Sequence, residues 1–201
     1  MMNTTMQPET TINPMTASKS PLLKRLLVIA GIALAGFLLL FATSAFLAMV
    51  VWNGLDAGQP APDFRSQDLN GNPVHLTDYA GKPVMLTFWS PDCSACREEL
   101  PTLQAIATDA NADVTLLTVV SKMPTAEVQQ FMTEAGLTFP VIIDEAGAIA
   151  TDYEITGVPV SYFINPDGVI DHNTVGAGRE GELANNLLAW LRTCNLDEVC
   201  K

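Results

Sequence analysis

The sequence predicts one α/β domain carried behind a single membrane-spanning helix. Three observations predict it. A 27-residue stretch from Leu26 to Trp52 holds no Asp, Glu, Lys, Arg or His. From Asp63 onward, strand-like runs alternate with helical ones. Two cysteines separated by two residues, Cys93 and Cys96, sit where one such strand gives way to a helix. A chain of 201 residues leaves room beside the uncharged stretch for one ordinary domain with its own core, and hardly for two.

The uncharged stretch comes first. A membrane span needs about 20 apolar residues at a rise of about 1.5 Å each, so residues 26–52 are long enough to cross with some tilt. Lys19, Lys24 and Arg25 precede it and the first charge after it is Asp56. That bias puts the N-terminus in the cytoplasm and everything after Trp52 outside. A cleaved signal peptide is the competing reading, because Thr43-Ser44-Ala45 offers small residues behind an apolar run. The run continues through Phe46 to Trp52, however, and cleavage would leave an apolar N-terminus, which favours a retained anchor. Residues 1–25 then form a cytoplasmic tail, Thr-, Met-, Asn- and Pro-rich and without apolar periodicity over its first 21 positions. Residues 53–62, with their Gly and Pro content, read as a stiffened linker lifting the domain off the bilayer, and residues 63–201 as the domain.

Charge divides at the same place. Residues 1–25 carry three bases against Glu9, which leaves seven bases and 21 acids, a net of −14, on residues 26–201. Such a domain has no basic face to hold phosphate backbones, which excludes nucleic acid as a partner. The four cysteines all lie in the part expected outside, where disulfides form and persist.

Within the domain, short strands near Asp63–Ser66 and Val74–Leu76 flank an Asn70-Gly71-Asn72 turn and suggest a hairpin. Pro83 to Trp89 reads as a buried strand. A helix follows from Cys96 to Asp109, with Leu100, Leu103, Ile106 and Ala107 at helical spacing. Val114–Val120 is a further strand, Thr125–Ala135 a helix with Thr125 as its N-cap, and Phe139–Ile143 a strand. After a short helix near Ala148–Tyr153, Val160–Ile164 and Val169–Val175 form a hairpin across Asn165-Pro166-Asp167-Gly168. A helix from Glu180 to about Arg192 closes the domain. Alternation of this kind indicates a layered α/β fold.

The cysteine pair carries the chemistry. A cysteine at the first turn of a helix faces unpaired N–H groups and the positive end of the helix dipole, both of which favour thiolate over thiol. Cys93 is so placed. It is the candidate nucleophile on a substrate disulfide, and Cys96, one turn further in, is the candidate resolving thiol. The bland alternatives fit less well. A structural bridge over two intervening residues closes too small a loop to stabilise much. Zinc needs about four ligands, and His75, His172 and a differently spaced cysteine pair do not complete a set.

The segment Phe88-Trp89-Ser90-Pro91-Asp92-Cys93-Ser94-Ala95-Cys96-Arg97-Glu98-Glu99-Leu100-Pro101 resembles the active-site segment of the thioredoxin superfamily, above all its membrane-anchored TlpA/ResA-like branch. The resemblance covers nearly all of residues 58–192, including Gly58-Gln59-Pro60-Ala61-Pro62-Asp63-Phe64, Gly81-Lys82-Pro83-Val84 and Gly157-Val158-Pro159. It implies a thioredoxin-like fold: a central mixed sheet flanked by helices, with an N-terminal hairpin. Room for a helix-strand insertion lies in the 66-position interval from Cys93 to Pro159. It also implies that Pro159 is the cis-proline beside the cysteine pair, and that Glu99, three residues after Cys96, is an acid tuning the thiols. A solvated first-turn Glu is the alternative for Glu99, and Glu98 is its competitor for the site. Two departures matter. Thr87 stands where thioredoxins bury an Asp. Asp92 precedes Cys93 where many relatives carry an aromatic residue, and its charge is expected to oppose thiolate formation and make the pair more reducing.

The resemblance further implies a protein-disulfide reductase on a bacterial inner membrane, single-pass, with its catalytic domain in the periplasm. Its expected partners are exported thiol or disulfide proteins, apocytochrome c among them in cytochrome c maturation, and a membrane electron donor of the DsbD/CcdA kind. No cofactor is implied, since the sulfurs carry the electrons. Two rivals remain. The APDF and GKPV segments also resemble peroxiredoxins, but the proline of their Pro-x-x-x-Thr/Ser-x-x-Cys motif is Leu86 here. Sco-type copper-delivery proteins share the anchor and fold, but use a Cys-x-x-x-Cys pair with a distant His, for which His172 is the candidate. Cys194 and Cys200 are expected to form a structural disulfide pinning the C-terminus, with a second redox pair or two free thiols as alternatives. His75 and His172 are expected in solvated turns, and Trp89 beneath the site.

Overall fold

The computed structural model describes residues 21–50, 54–110, 112–179 and 181–196. They fall into two units divided between Val51 and Trp52. The first is one helix, α1, Pro21–Val50. Its stretch Arg25–Thr43 has a mean hydropathy of 2.6, and the large apolar side chains from Leu26 to Phe41 are exposed all round. Such a helix finds no partner for its apolar surface in water. It is long and apolar enough to cross a membrane. Residues 1–20 of the expected tail, and Trp52, lie outside the described residues.

The second unit is a seven-stranded mixed sheet in the order β2-β1-β5-β4-β3-β6-β7. Its strands are β1 Arg65–Asp68, β2 Pro73–His75, β3 Val84–Trp89, β4 Thr115–Ser121, β5 Val141–Asp144, β6 Val160–Ile164 and β7 Ile170–Val175. β3, β4 and β5 run parallel and the other pairings are antiparallel. Every residue of β3 is buried, because both faces of this strand are covered. Successive side chains alternate between two apolar layers. Val84, Leu86 and Phe88 join Tyr153 and Tyr162 on one face. Met85 and Trp89 join the buried faces of α2 (Ser94–Thr108), α3 (Thr125–Ala135) and α5 (Glu182–Leu196) on the other.

Several local outcomes differ from the sequence reading. β1 sits two residues later than expected, because Arg-Ser-Gln-Asp has no apolar alternation of its own and takes its place from pairing with β2 and β5. The cap of α3 is Pro124, which offers no side-chain bond, and Thr125 is the first helical residue. Its N–H and hydroxyl both donate to Glu145, so the cap arrives from the loop after β5. α5 begins only after Gly181, held at φ +80°, and runs on to Leu196 because Leu183, Leu187, Trp190 and Cys194 keep one face buried.

Residues 54–61, which the sequence assigns to the linker, are hydrogen-bonded to the domain. Gly58 N–H donates to Ile170 O, Ile170 N–H to Gln59 O, and Ala61 N–H to Gly168 O. Leu55 is held twice, its N–H by the Tyr162 hydroxyl at 2.9 Å and its carbonyl by Asn173 Nδ2 at 2.8 Å. Burial pushes Tyr162 up to about 12, so its hydroxyl stays protonated and donates to Tyr153 O. Gly54 (φ +93°) approaches so closely that a Cβ there would collide with that hydroxyl.

At the C-terminal ends of the parallel strands, the buried Asp144 carboxylate accepts from Ser121 Oγ and from the N–H groups of Ile149 and Ala150. It thereby ties β4 and β5 to the short helix α4, Ala148–Asp152. That end of the sheet carries the cysteine pair.

Candidate active site

β3 delivers the pair. Its apolar run ends at Trp89, which is 2 % exposed and packs against Phe131 and Phe139 at ring distances of 5.8 and 5.7 Å. The chain then turns through Ser90-Pro91-Asp92, with Cys93 N–H donating to Ser90 O. Cys93 caps α2 in an extended conformation, φ −87° and ψ 113°. Its sulfur accepts the Cys96 N–H at 3.0 Å, so one of the free donors at the helix start points at it. The helix starts at Ser94, two residues before the sequence placed it, because the sulfur of Cys93 serves as the cap that an Asp or Ser side chain usually supplies.

Cys93 and Cys96 are joined by a disulfide, with their Cα atoms 5.2 Å apart. Cys96 is 1 % exposed within the apolar layer, whereas Cys93 is half-buried at its edge. Arg97 frames the turn, its Nε donating to Pro91 O at 2.7 Å and its guanidinium lying over the Phe131 ring. Pro101 sits inside α2 and lacks the N–H that would bond back to Arg97 O.

The Val158–Pro159 peptide bond is cis. Register explains why it adjoins the pair: Phe88 of β3 faces Val160 of β6, so the residues just before β6 lie beside those just after β3. Val158 O is 3.5 Å from Cys93 Sγ, and Pro159 O accepts Gly176 N–H at 2.8 Å from the loop after β7.

Glu99 lies one turn beyond Cys96, half-buried, on the wall of a cavity of about 350 Å³ between α2, β7 and the start of α5. Burial pushes its carboxyl up to about 7, the charge of Glu98 adds to this, and hydrogen bonding from Gly178 N–H pulls the other way. Glu98 itself is exposed. Of the two adjacent acids, Glu99 is therefore the one in a proton-holding environment at neutral pH.

Thr87 is fully buried, and its hydroxyl lies 2.9 Å from that of Ser161 on β6. Both hydroxyls project to the face of the sheet that carries Cys96, since they alternate with Phe88, Val160 and Tyr162 of the opposite layer. Sequence reading missed Ser161 and Gly178. A lone Ser in the apolar run Val160-Ser161-Tyr162-Phe163-Ile164 was the available signal for the first, and the small-residue loop Gly176-Ala177-Gly178 for the second.

Cys194 is buried in the last turns of α5 and is disulfide-bonded. Cys200 lies outside the described residues. Neither histidine sits in a turn, although His172 is solvent-exposed as expected. His75 ends β2, with Nδ1 4.0 Å from Asp78. His172 lies in β7, stacked at 5.6 Å on Phe163, because the strand alternation carries it to that ring. Among the described residues no three His, Cys, Asp or Glu side chains gather as metal ligands.

Comparisons with known proteins agree with this geometry. Residues 57–173 match the model of the AhpC/TSA family. The chain is 34% identical over 137 residues to the thioredoxin-like protein YneN of Bacillus subtilis, covering 67% of this chain and 80% of that protein. It is 34% identical over 151 residues to the thiol-disulfide oxidoreductase ResA of Oceanobacillus iheyensis, covering 70% and 79%. A crystal structure of a secreted Mycobacterium tuberculosis disulfide oxidoreductase homologous to E. coli DsbE superposes with a TM-score of 0.55 at 29% identity, over 63% of this chain and 95% of that one. With a bonded cysteine pair capping a helix beside a cis-proline, and relatives of this kind over most of their length, the chain belongs to the AhpC/TSA family of thioredoxin-like proteins as a thiol-disulfide oxidoreductase of the ResA/DsbE type.

Proposed function

We propose that this protein is a membrane-anchored reductase of disulfides in exported proteins, working outside the cytoplasm through Cys93 and Cys96. The observation that carries the proposal is the asymmetry of the pair: Cys93 half-exposed at the helix N-terminus, Cys96 buried one turn behind it. In the reduced enzyme the Cys93 thiolate attacks one sulfur of a client disulfide, and the other client sulfur leaves as a thiolate. Cys96 then gives up its proton and attacks Cys93 Sγ, which forms the Cys93–Cys96 disulfide and releases the client as a dithiol. Glu99 is the proposed acceptor of the Cys96 proton, since a carboxyl titrating near neutrality can take up and return a proton at working pH. Pro159 has no N–H, and its cis bond beside Cys93 leaves the Val158 backbone to pair with an extended client segment.

The anchor reading rests on α1 and on Lys19, Lys24 and Arg25 before it, which favour a cytoplasmic N-terminus and a periplasmic domain in a bacterial inner membrane. Electrons to regenerate the dithiol then come from a membrane donor of the DsbD/CcdA kind. Apocytochrome c is the proposed client among exported proteins. For the disulfide-bonded Cys194 the proposed partner is Cys200, in a bridge with a structural role. Cys194 is far from the exchange site: it lines a cavity with Lys82 and Pro83 before β3, whereas Cys93 follows the end of that strand.

The test is the equilibrium reduction potential of the Cys93–Cys96 pair in the full chain in detergent micelles, read by alkylation and mass spectrometry of the peptide that contains it. A value near that of thioredoxin, about −270 mV, supports a reductant, and one near about −120 mV makes the protein an oxidant and refutes the proposal. Turnover of peroxide with a thiol donor would instead place it with the peroxidases.

A further inference from the structure

We propose that Gly178 is a positioning residue for Glu99: with no side chain of its own, the loop after β7 turns the Gly178 N–H onto the Glu99 carboxylate, and Glu182 holds the loop in that shape. The inference rests on the proton-handling role proposed for Glu99. Its footing is geometric. Glu99, Gly178 and Glu182 line one cavity. The Glu182 side chain accepts Arg179 N–H at 2.7 Å while Glu182 N–H donates to Arg179 O at 2.8 Å, a reciprocal clamp at the start of α5. That clamp packs the Glu182 side chain onto Gly178. A Cβ at Gly178 would lie 2.5 Å from Glu182 Oε2, 2.7 Å from its Cδ and 2.9 Å from its Cβ. The last of these atoms is fixed to the helix backbone, so rotating the side chain does not clear the space. At its other end the loop is pinned by Gly176, at φ +82°, whose N–H donates to Pro159 O. One short loop therefore bonds to the cis-proline at Gly176 and lines the cavity of Glu99 at Gly178.

The charged and titratable groups around Glu99 are Cys96 and Glu98 on its own helix, His172 on β7, and Arg179 and Glu182 on the loop and α5. In the oxidised protein the Cys96 sulfur does not titrate, and Glu99→Gln separates Glu99 from the other groups on the cavity wall.

The experiment uses the oxidised full chain in detergent micelles, with ¹⁵N-labelled glycine and ¹³C-labelled glutamate side chains. The Gly178 amide is expected to shift with the same midpoint as the Glu99 carboxyl carbon, and to stop doing so in Glu99→Gln. A Gly178 amide that stays flat through the Glu99 titration, or that still titrates in Glu99→Gln and so follows another group, overturns the inference; neither reading depends on a loop variant folding. Gly178→Ala is expected to raise the Glu99 midpoint by about one pH unit, the tenfold change that a charge-assisted hydrogen bond commonly carries. An unmoved midpoint in folded Gly178→Ala overturns the positioning role. A midpoint that moves while the pH profile of disulfide exchange does not supports the positioning role and refutes the role of Glu99 in exchange.

Discussion

Replacing Glu99 with Gln should stabilise the oxidised protein, and only above the ordinary carboxylate range. Burial pushes the Glu99 carboxyl from 4.5 up to about 7. The folded state then binds this proton more tightly than the unfolded state does, so between those two values folded molecules hold more protons. Stability must therefore fall as pH rises across that window, the reverse of the usual behaviour of a paired acid. The difference between 4.5 and about 7 corresponds to a ceiling of about 3 kcal/mol at about 1.36 kcal/mol per pH unit. Glu99 is half-exposed, so water screens much of that, and about 1–2 kcal/mol is the expected penalty for the ionised form. Gln keeps the shape of the side chain and an oxygen for Gly178 N–H while removing the ionisation. Urea unfolding of the oxidised full chain in micelles, at pH 4 and pH 8, isolates the effect, because every other titrating group is common to both proteins. The variant and the parent should be equally stable at pH 4, and the variant should gain about 1–2 kcal/mol at pH 8 with an unchanged denaturant slope. A difference independent of pH, or a variant less stable at pH 8, would show that ionising Glu99 carries no folding penalty.

Three further outcomes follow from the packing. Asp144→Ala strips the acceptor from Ser121 Oγ and from two backbone N–H groups at the buried end of the sheet, and should cost about 3 kcal/mol or more in denaturant unfolding. Tyr162→Phe leaves Leu55 N–H without its bond and should cost about 1–2 kcal/mol, with faster hydrogen exchange at that amide as the specific sign. Thr87→Val leaves the Ser161 hydroxyl buried without its partner and should cost about 1–2 kcal/mol; adding Ser161→Ala should cost less than the two single losses summed, a coupling that a double-mutant cycle reads.

Which of these features were legible in the sequence depended on how local their cause is. β3 and β4 stood out as unbroken apolar runs because both faces are covered, and α3 was bounded correctly by its own periodicity. Cys93 and Cys96 were legible because a two-residue spacing at a strand-helix junction is a short local motif, whereas Pro159 was legible only through the family resemblance. Where pairing or distant contacts decide, the residues were silent. β1 is assigned by its neighbours, the cap of α3 comes from Glu145, and His172 is carried onto Phe163 by the alternation of an edge strand. Residues 54–61 look like a linker by composition, yet their backbone groups find partners on β7, Gly168 and Tyr162. The environment of Glu99 is set by the start of α5 and the loop before it, 79 positions away at Gly178, so its burial could not be read beside the cysteines.

In the proposed exchange, Cys93 attacks and Cys96 resolves. Trapping tests it most directly: reduced Cys96→Ser and Cys93→Ser chains are each mixed with a disulfide-bonded protein, and the mixed disulfide is mapped by mass spectrometry. A stable adduct is expected on Cys93 in Cys96→Ser, and essentially none on the buried Cys96 in Cys93→Ser. An adduct forming as readily on Cys96, or none on Cys93, would contradict it.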